Sequence, residues 1–107
     1  MHKVILDTDI GTDVDDALAL AVLLGSKEVD LIGITAVYGD VHLRSAIAMH
    51  LCSLVNRTIP TYLGQSKPIS GREVWVSGSE GKNIKNLDSF TPQTTSAVDF
   101  LIDEVNT

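Results

Sequence analysis

Residues 3–24, KVILDTDIGTDVDDALALAVLL, place an acidic loop between a short apolar run and a helix-forming segment. The apolar run is rich in β-branched residues, as expected of a buried parallel strand. The stretch at 17–24 consists of strong helix formers, with Asp15 or Asp16 as the predicted N-cap and Gly25 as the stop. This helix is apolar on nearly all sides, which predicts that more than one neighbour buries it.

The rest of the chain continues this alternation. Residues 31–38 and 59–63 are predicted to be buried strands, and a helix is predicted from about 42 to 56 between them. The apolar face of that helix is expected to consist of Leu43, Ile47, Leu51, Leu54 and Val55. Residues 64 to about 93 have no sustained period, and a helical pattern resumes at Thr94. Alternating strands and helices predict an α/β fold, a Rossmann-like parallel sheet with flanking helices.

Composition excludes several classes of protein. The 107 residues carry 8 Lys plus Arg against 14 Asp plus Glu, for a formal charge of −6. This balance disfavours nucleic acid and anionic membranes as partners, because both require a basic face. No apolar run approaches the roughly 18 residues of a membrane span, and the six residues before Asp7 do not form the hydrophobic region of a signal peptide. A single cysteine, Cys52, cannot form an internal disulfide. We therefore expect a cytoplasmic protein.

Five carboxylates fall within ten residues of the acidic loop: Asp7, Asp9, Asp13, Asp15 and Asp16. Two carboxylates about 5 Å apart repel by roughly 3 kcal/mol at an effective dielectric near 20, so either the loop splays into water or a cation holds it. Because the available ligands are all oxygens, Ca²⁺ or Mg²⁺ is favoured over zinc or copper. The alternative is that the last two aspartates only cap a helix.

Two known acidic motifs can be compared with this spacing. An EF-hand loop beginning at Asp7 would need glycine at position 12 and glutamate at position 18, which are Thr12 and Leu18 here, so the EF-hand is excluded. An Asp-x-Asp phosphatase of the haloacid dehalogenase type also begins with a strand and two such aspartates. Its threonine or valine two residues later is Gly11 in this chain. That Mg²⁺-dependent phosphatase is the second hypothesis.

The segment at 4–20, a strand followed by Asp-x-Asp-x-Gly and then Asp-Asp-Ala, resembles the opening of the inosine–uridine-preferring nucleoside hydrolases. Residues 32–40 and 59–64 resemble the second and third strands of that family. Residues 78–81 resemble its glycine-rich loop, with Ser79 where the family often carries histidine. The resemblance implies the nucleoside hydrolase fold. It also implies that 1–107 form the N-terminal part of one such domain, with no second domain.

The resemblance further implies hydrolysis of the N-glycosidic bond of ribonucleosides to free base and ribose. Asp9 and Asp16 would bind Ca²⁺, and Asp9 would also orient and deprotonate the attacking water. Asp15 would accept a hydrogen bond from a ribose hydroxyl, and Asp40 would lie near the sugar. Asp7 would support the loop without touching the ion. Asp13 is assigned no role.

The resemblance also bears on partners. A small-molecule nucleoside is the expected partner, with no nucleic acid and no membrane, and the full-length family context implies a homo-oligomer. A third hypothesis is a truncated remnant that binds Ca²⁺ without catalysis. Trp75 could stack on a purine or pack in the interior, and Tyr38, at the end of the second strand, could contact substrate or belong to the core.

Overall fold

The computed structural model describes residues 1–75, 80–82 and 84–107, and Gly78 and Ser79 of the glycine-rich motif lie outside the described residues. Within these described ranges, three strands, three α-helices and one short 3₁₀ turn follow one another. In chain order they are β1 (His2–Thr8), α1 (Asp15–Gly25), β2 (Val29–Ala36), α2 (Val41–Ser53), β3 (Thr61–Leu63), a 3₁₀ turn (Leu87–Ser89) and α3 (Ala97–Val105).

The three strands form one parallel sheet in the order β1-β2-β3. Asp7 of β1 lies opposite Thr35 of β2, and Ile34 lies opposite Thr61 of β3. Because all three strands run in the same direction, the loops that follow β1 and β2 emerge at the same edge of the sheet. The predicted α/β fold with a Rossmann-like parallel sheet is confirmed.

Helices cover both faces of the sheet. Ile34 belongs to a buried core that also contains Leu20 of α1 and Ile47 of α2, so these two helices share one face. The neighbouring Gly33 points to the opposite face, as alternation along a strand requires. There the ring of Phe100 of α3 packs over it.

The start of α1 differs from the prediction. Its N-cap residue is Val14, which makes no side-chain capping bond, so the assignment of Asp15 or Asp16 as N-cap is wrong. Both aspartates lie instead in the first helical turn, where the helix dipole favours negative charge. The carboxylate of Asp16 accepts a hydrogen bond from Thr8, so it faces back towards β1 rather than capping α1.

The prediction that α1 is buried on more than one side is also wrong for this chain. Leu20 is its buried residue, whereas Leu18 and Val22 are 62 % and 65 % exposed. The helix therefore packs through one side and presents an apolar surface on the other.

Helix α2 is shorter than predicted. It ends at Ser53 rather than near Asn56, whose φ of 58° lies in the left-handed region and stops the helix. Leu54 and Val55 consequently lie beyond the helix and are exposed, so they do not extend its apolar face. Ile47 is buried on that face.

No helix in the described ranges is long and apolar enough to cross a membrane.

Candidate functional site

An acidic pocket opens where the loops after β1 and β2 meet. Its volume is about 240 Å³. The lining residues are Asp9, Thr12, Asp13, Asp15, Asp16, Tyr38 and Trp75. Four of the five clustered aspartates therefore meet in one cavity, together with two aromatic side chains contributed by later segments.

Asp9 and Asp16 form a carboxylate pair within this pocket. A hydrogen bond with Asp16 is the main reason that the pKa of Asp9 is raised, with partial burial and charge repulsion adding to it. The pKa of Asp16 is lowered instead, chiefly because the Thr8 hydroxyl donates to its Oδ2 at 2.6 Å. Asp16 is therefore the member that stays ionised, and Asp9 is the member that accepts a proton more readily.

Asp7 lies outside the lining of the acidic pocket. Its Oδ1 accepts a hydrogen bond of 2.6 Å from the hydroxyl of Thr35, its opposite residue on β2. This bond ties the carboxyl end of β1 to that of β2. The supporting role expected of Asp7 stays a prediction, and its geometry is that of a residue fixing the strand from which the acidic loop departs.

Asp40 is not brought to the acidic pocket. Its carboxylate is the N-cap of α2, with Oδ1 accepting from the backbone N–H of Leu43 at 3.1 Å. It borders a different cavity, lined in part by Leu43, Ala46 and Leu87. From the loop after β2, Tyr38 rather than Asp40 lines the acidic pocket. A contact between Asp40 and a ribose stays a prediction.

Arg44 of α2 was missed at the sequence level. It is only 2 % exposed, although arginine is almost never fully buried without partners. Its Nε donates to the Tyr38 carbonyl at 2.6 Å, and its Nη1 donates to the Asp9 carbonyl at 2.7 Å. A signal was available, because Arg44 precedes Ile47 and Ala48 by three and four residues and so shares the buried stripe of the helix.

Two aromatic side chains wall the acidic pocket. Tyr38 adopts a φ of 74°, uncommon for a non-glycine residue, and its hydroxyl accepts a 2.8 Å hydrogen bond from the backbone N–H of Trp75. The Trp75 side chain is 63 % exposed, so it is not a core residue. Of the two interpretations of this tryptophan, the structure agrees with an exposed ring at the pocket.

The donor chemistry of the pocket fits a hard divalent cation. The aspartates that line it offer carboxylate oxygens, the ligand type that Ca²⁺ and Mg²⁺ prefer. Among the residues that the structure describes, no group of three or more His, Cys, Asp or Glu converges to hold a metal. Asp9 and Asp16 could therefore supply only part of the ligand set of such an ion.

A third cavity, of about 220 Å³, lies between α2 and β3 and is lined by Met49, Cys52 and Arg57 among others. None of the described residues that line it carries a carboxylate. The acidic pocket is thus the better candidate for chemistry that needs a base or a cation.

Comparison with known proteins identifies the family of the chain. The family model described as inosine-uridine preferring nucleoside hydrolase matches residues 4–107. A probable uridine nucleosidase 2 from Arabidopsis thaliana is 35 % identical over 95 % of this chain and 34 % of its own length. The pyrimidine-specific ribonucleoside hydrolase RihB from Escherichia coli O9:H4 (strain HS) is 31 % identical with the same coverage of both chains.

A solved structure points the same way. The purine-preferring ribonucleoside hydrolase from Gardnerella vaginalis superposes with a TM-score of 0.79 and 30 % identity, over 99 % of this chain and 37 % of that one. The chain thus spans 34 % of the length of the two relatives above and 37 % of this structure. With the family model matching residues 4–107, the chain belongs to the inosine-uridine preferring nucleoside hydrolase family.

Proposed function

We propose that the acidic pocket serves hydrolysis of the N-glycosidic bond of ribonucleosides, with Ca²⁺ held by Asp9 and Asp16. The observation that carries this proposal is the Asp9–Asp16 carboxylate pair at the carboxyl end of β1. Family membership supports the reaction class, and the aromatic rings beside the pair suit a nucleobase. Family membership also favours this reaction over that of an Asp-x-Asp phosphatase.

The two carboxylates are suited to different tasks. Asp9 lines the pocket beside Asp16, and we assign it as the general base that takes a proton from the attacking water. Asp16 is kept ionised by the Thr8 hydroxyl, so it provides a permanent negative charge. When bound, Ca²⁺ would supply positive charge that attracts ribose hydroxyls and acidifies a neighbouring water.

The other aspartates of the pocket are suited to interact with the ribose of the substrate. Cleavage of an N-glycosidic bond develops positive charge on the ribose ring, which nearby carboxylates stabilise. Asp13 and Asp15 line the pocket and are exposed, so both can face a ligand. We assign Asp15 to a ribose hydroxyl, keep Asp40 as a proposed sugar contact, and keep Asp7 as a support for the loop.

The aromatic side chains of the pocket are suited to contact the nucleobase of the substrate. Trp75 offers an exposed indole face on which a purine or a pyrimidine can stack. The named relatives include a uridine nucleosidase, a pyrimidine-specific enzyme and a purine-preferring one, and ribonucleoside hydrolysis is the chemistry they share. The proposal is therefore made at the level of ribonucleosides. The cytoplasmic location and the homo-oligomer stay predictions.

Calorimetric titration with Ca²⁺ tests the metal site. We expect the wild-type chain to bind Ca²⁺ and Asp16→Asn to weaken binding at least about tenfold, because one of two charged oxygen ligands is lost. Asp103→Asn, which removes an equivalent charge from the exposed side of α3, is the matched control and should leave the dissociation constant unchanged. Equal binding by wild type and Asp16→Asn would contradict the assignment.

Turnover assays then separate the enzyme from the non-catalytic alternative. Release of reducing sugar from uridine and inosine is measured with and without Ca²⁺, and Asp9→Asn is expected to abolish it. Ca²⁺ binding that depends on Asp16 but is accompanied by no turnover would favour the remnant that binds the ion without catalysis.

A further inference from the structure

The buried guanidinium of Arg44 donates hydrogen bonds to neutral groups of the acidic loop and of the loop after β2. Besides the carbonyls of Tyr38 and Asp9, its Nη1 donates to the Ile10 carbonyl at 3.1 Å and to the Thr12 hydroxyl at 2.8 Å. These acceptors are three backbone carbonyls and one hydroxyl. A charge buried in this way is stabilised by the carbonyl dipoles of the very segments that form the pocket.

These hydrogen bonds join two loops that have no regular secondary structure. Residues 9–12 follow β1, and Tyr38 follows β2. Both segments accept hydrogen bonds from the guanidinium of Arg44 on α2. Tyr38 also places its ring 5.9 Å from the guanidinium carbon. Thr12 extends the network, since its hydroxyl donates to Glu80 at 3.3 Å. The backbone that carries Asp9 is therefore held from the side of α2.

We propose that Arg44 is a positioning residue of the acidic pocket, whose guanidinium fixes the backbone at 9–12 and 38 so that the Asp9 and Asp16 carboxylates face a divalent cation together. This inference rests on the proposed function, because it assumes that the carboxylate pair binds the ion. Its distinctive claim is that a residue outside the pocket lining sets the affinity of the pocket.

The planar shape of the guanidinium is essential to this role. Arginine offers five N–H donors in a fixed fork, whereas lysine offers a compact charge on a flexible chain. Lysine at this position keeps the positive charge but cannot serve the Tyr38 carbonyl and the Asp9 carbonyl with the same geometry. Glutamine keeps a planar amide donor but loses the charge.

The test compares Arg44→Lys and Arg44→Gln with the wild-type chain. Ca²⁺ affinity is measured by calorimetry well below the melting midpoint of each variant, so that every sample is folded. We expect both variants to lose about 10- to 100-fold in affinity, the usual cost of removing a group that orients metal ligands. Backbone amide resonances of residues 9–16 should shift in both variants without Ca²⁺.

Arg57→Lys is the matched control. Arg57 is a partly buried arginine whose Nη1 donates to the Leu24 carbonyl at 3.3 Å, near the end of α1 rather than at the pocket. It should leave the Ca²⁺ affinity within about twofold of the wild type, since it orients no proposed ligand. If neither Arg44 variant folds, Thr12→Val removes one acceptor of the network and carries the same expectation of weaker binding.

The outcomes are distinguishable. Wild-type binding with unchanged affinity in the Arg44 variants would overturn the positioning role and leave the proposed function standing, even if the melting midpoint fell. Absence of Ca²⁺ binding by the wild type would overturn the proposed metal site, and this inference with it. Weaker binding in the Arg44 variants with normal binding in Arg57→Lys would establish the role.

Discussion

At the scale of single residues, two threonine hydroxyls hold the acidic side chains at the edge of the sheet. Thr8 donates to Asp16, and Thr35 donates to Asp7, each at 2.6 Å. Both threonines are buried at the carboxyl ends of β1 and β2. A hydrogen bond from a hydroxyl stabilises the charged form of a carboxylic acid, and the bond from Thr8 is the main reason that the pKa of Asp16 is lowered.

Thr8→Val is expected to raise the pKa of Asp16 towards its ordinary value of 3.8, because the main cause of its lowering is removed. The folded-state pKa of Asp16 lies below its unfolded value, so its stabilising contribution is present above about pH 4 and is lost as pH falls through the folded pKa. The variant should therefore lose stability at pH 7 more than at pH 3.

Carboxyl ¹³C titration by NMR and urea unfolding at both pH values measure this effect. Thr35→Val is the control, since it removes an equivalent hydroxyl from Asp7 and should leave the titration of Asp16 unchanged. An Asp16 titration identical in the wild type and Thr8→Val would contradict the explanation.

The sequence predicted the aspartates of the pocket but not the groups that hold them. Five acids in ten residues are visible without any structure, and the loop after a strand is where a parallel sheet places a site. The partners of Thr8 and Arg44 depend on strand register and on the side of α2 that faces the sheet. Strand register does not follow from local spacing. The spacing of Arg44 with the buried residues of α2 was a signal, but arginine on a helix is usually a surface residue, so the composition argued against it.

At the scale of elements, α3 packs on the sheet at a position, Gly33, where the residue has no side chain. A Cβ at Gly33 would lie 2.5 Å from the Phe100 ring, which itself stacks on Tyr62 with ring centroids 3.9 Å apart. Glycine in the middle of β2 is unfavourable for a strand by itself. It is required here because the aromatic ring occupies the space above it.

Gly33→Ala should destabilise the fold by about 1–3 kcal/mol, the usual cost of overpacking a well-filled interior. Gly25→Ala is the control, since a Cβ there meets nothing within 4 Å, and it should be neutral or stabilising by up to about 1 kcal/mol. Urea unfolding monitored by circular dichroism measures both. Equal stability of the two variants would show that the Phe100 ring moves aside without cost.

The order and type of the elements and the end of α1 at Gly25 followed from the sequence, whereas the start of α1 and the end of α2 did not. Helix α1 begins at Asp15 because Asp16 bonds Thr8, a tertiary contact that outweighs its preference for an N-cap position. Helix α2 ends early because Asn56 adopts a left-handed conformation. Helix ends are decided by such single contacts and torsions, which periodicity cannot reveal.

At the scale of the whole molecule, apolar side chains are exposed on both faces. Leu18 and Val22 project from α1, and Ile102 and Val105 project from α3. Contiguous apolar surface of this kind is uncommon on monomers and favours association. Because the two helices lie on opposite faces of the sheet, each chain offers two such surfaces.

We expect the isolated chain to self-associate as its concentration rises. Sedimentation velocity should show a concentration-dependent increase in mass, and the double variant Leu18→Lys with Val22→Lys should reduce it by placing charge on the α1 surface. The double variant Thr94→Lys with Thr95→Lys adds the same charge before α3 and is the control. A wild-type chain that remains monomeric at every concentration would contradict this expectation.

The layered architecture was predictable from the alternation of strands and helices, whereas the exposure of α1 was not. Its composition predicted burial on more than one side, but the described elements cover only the side that carries Leu20. How much of an apolar helix is buried depends on the number of neighbours, and a periodic pattern does not contain that number.

The left-handed backbone at Tyr38 has an evolutionary consequence. A side chain in this conformation costs roughly 1–2 kcal/mol relative to glycine, and Gly39 directly after it adopts a φ of 75°. Replacing Tyr38 by glycine would relieve that cost and also delete a wall of the acidic pocket. Glycine would also lose the hydrogen bond from Trp75 and the ring contact with Arg44, so a tyrosine persists at this position only while those contacts and ligand binding outweigh the backbone strain.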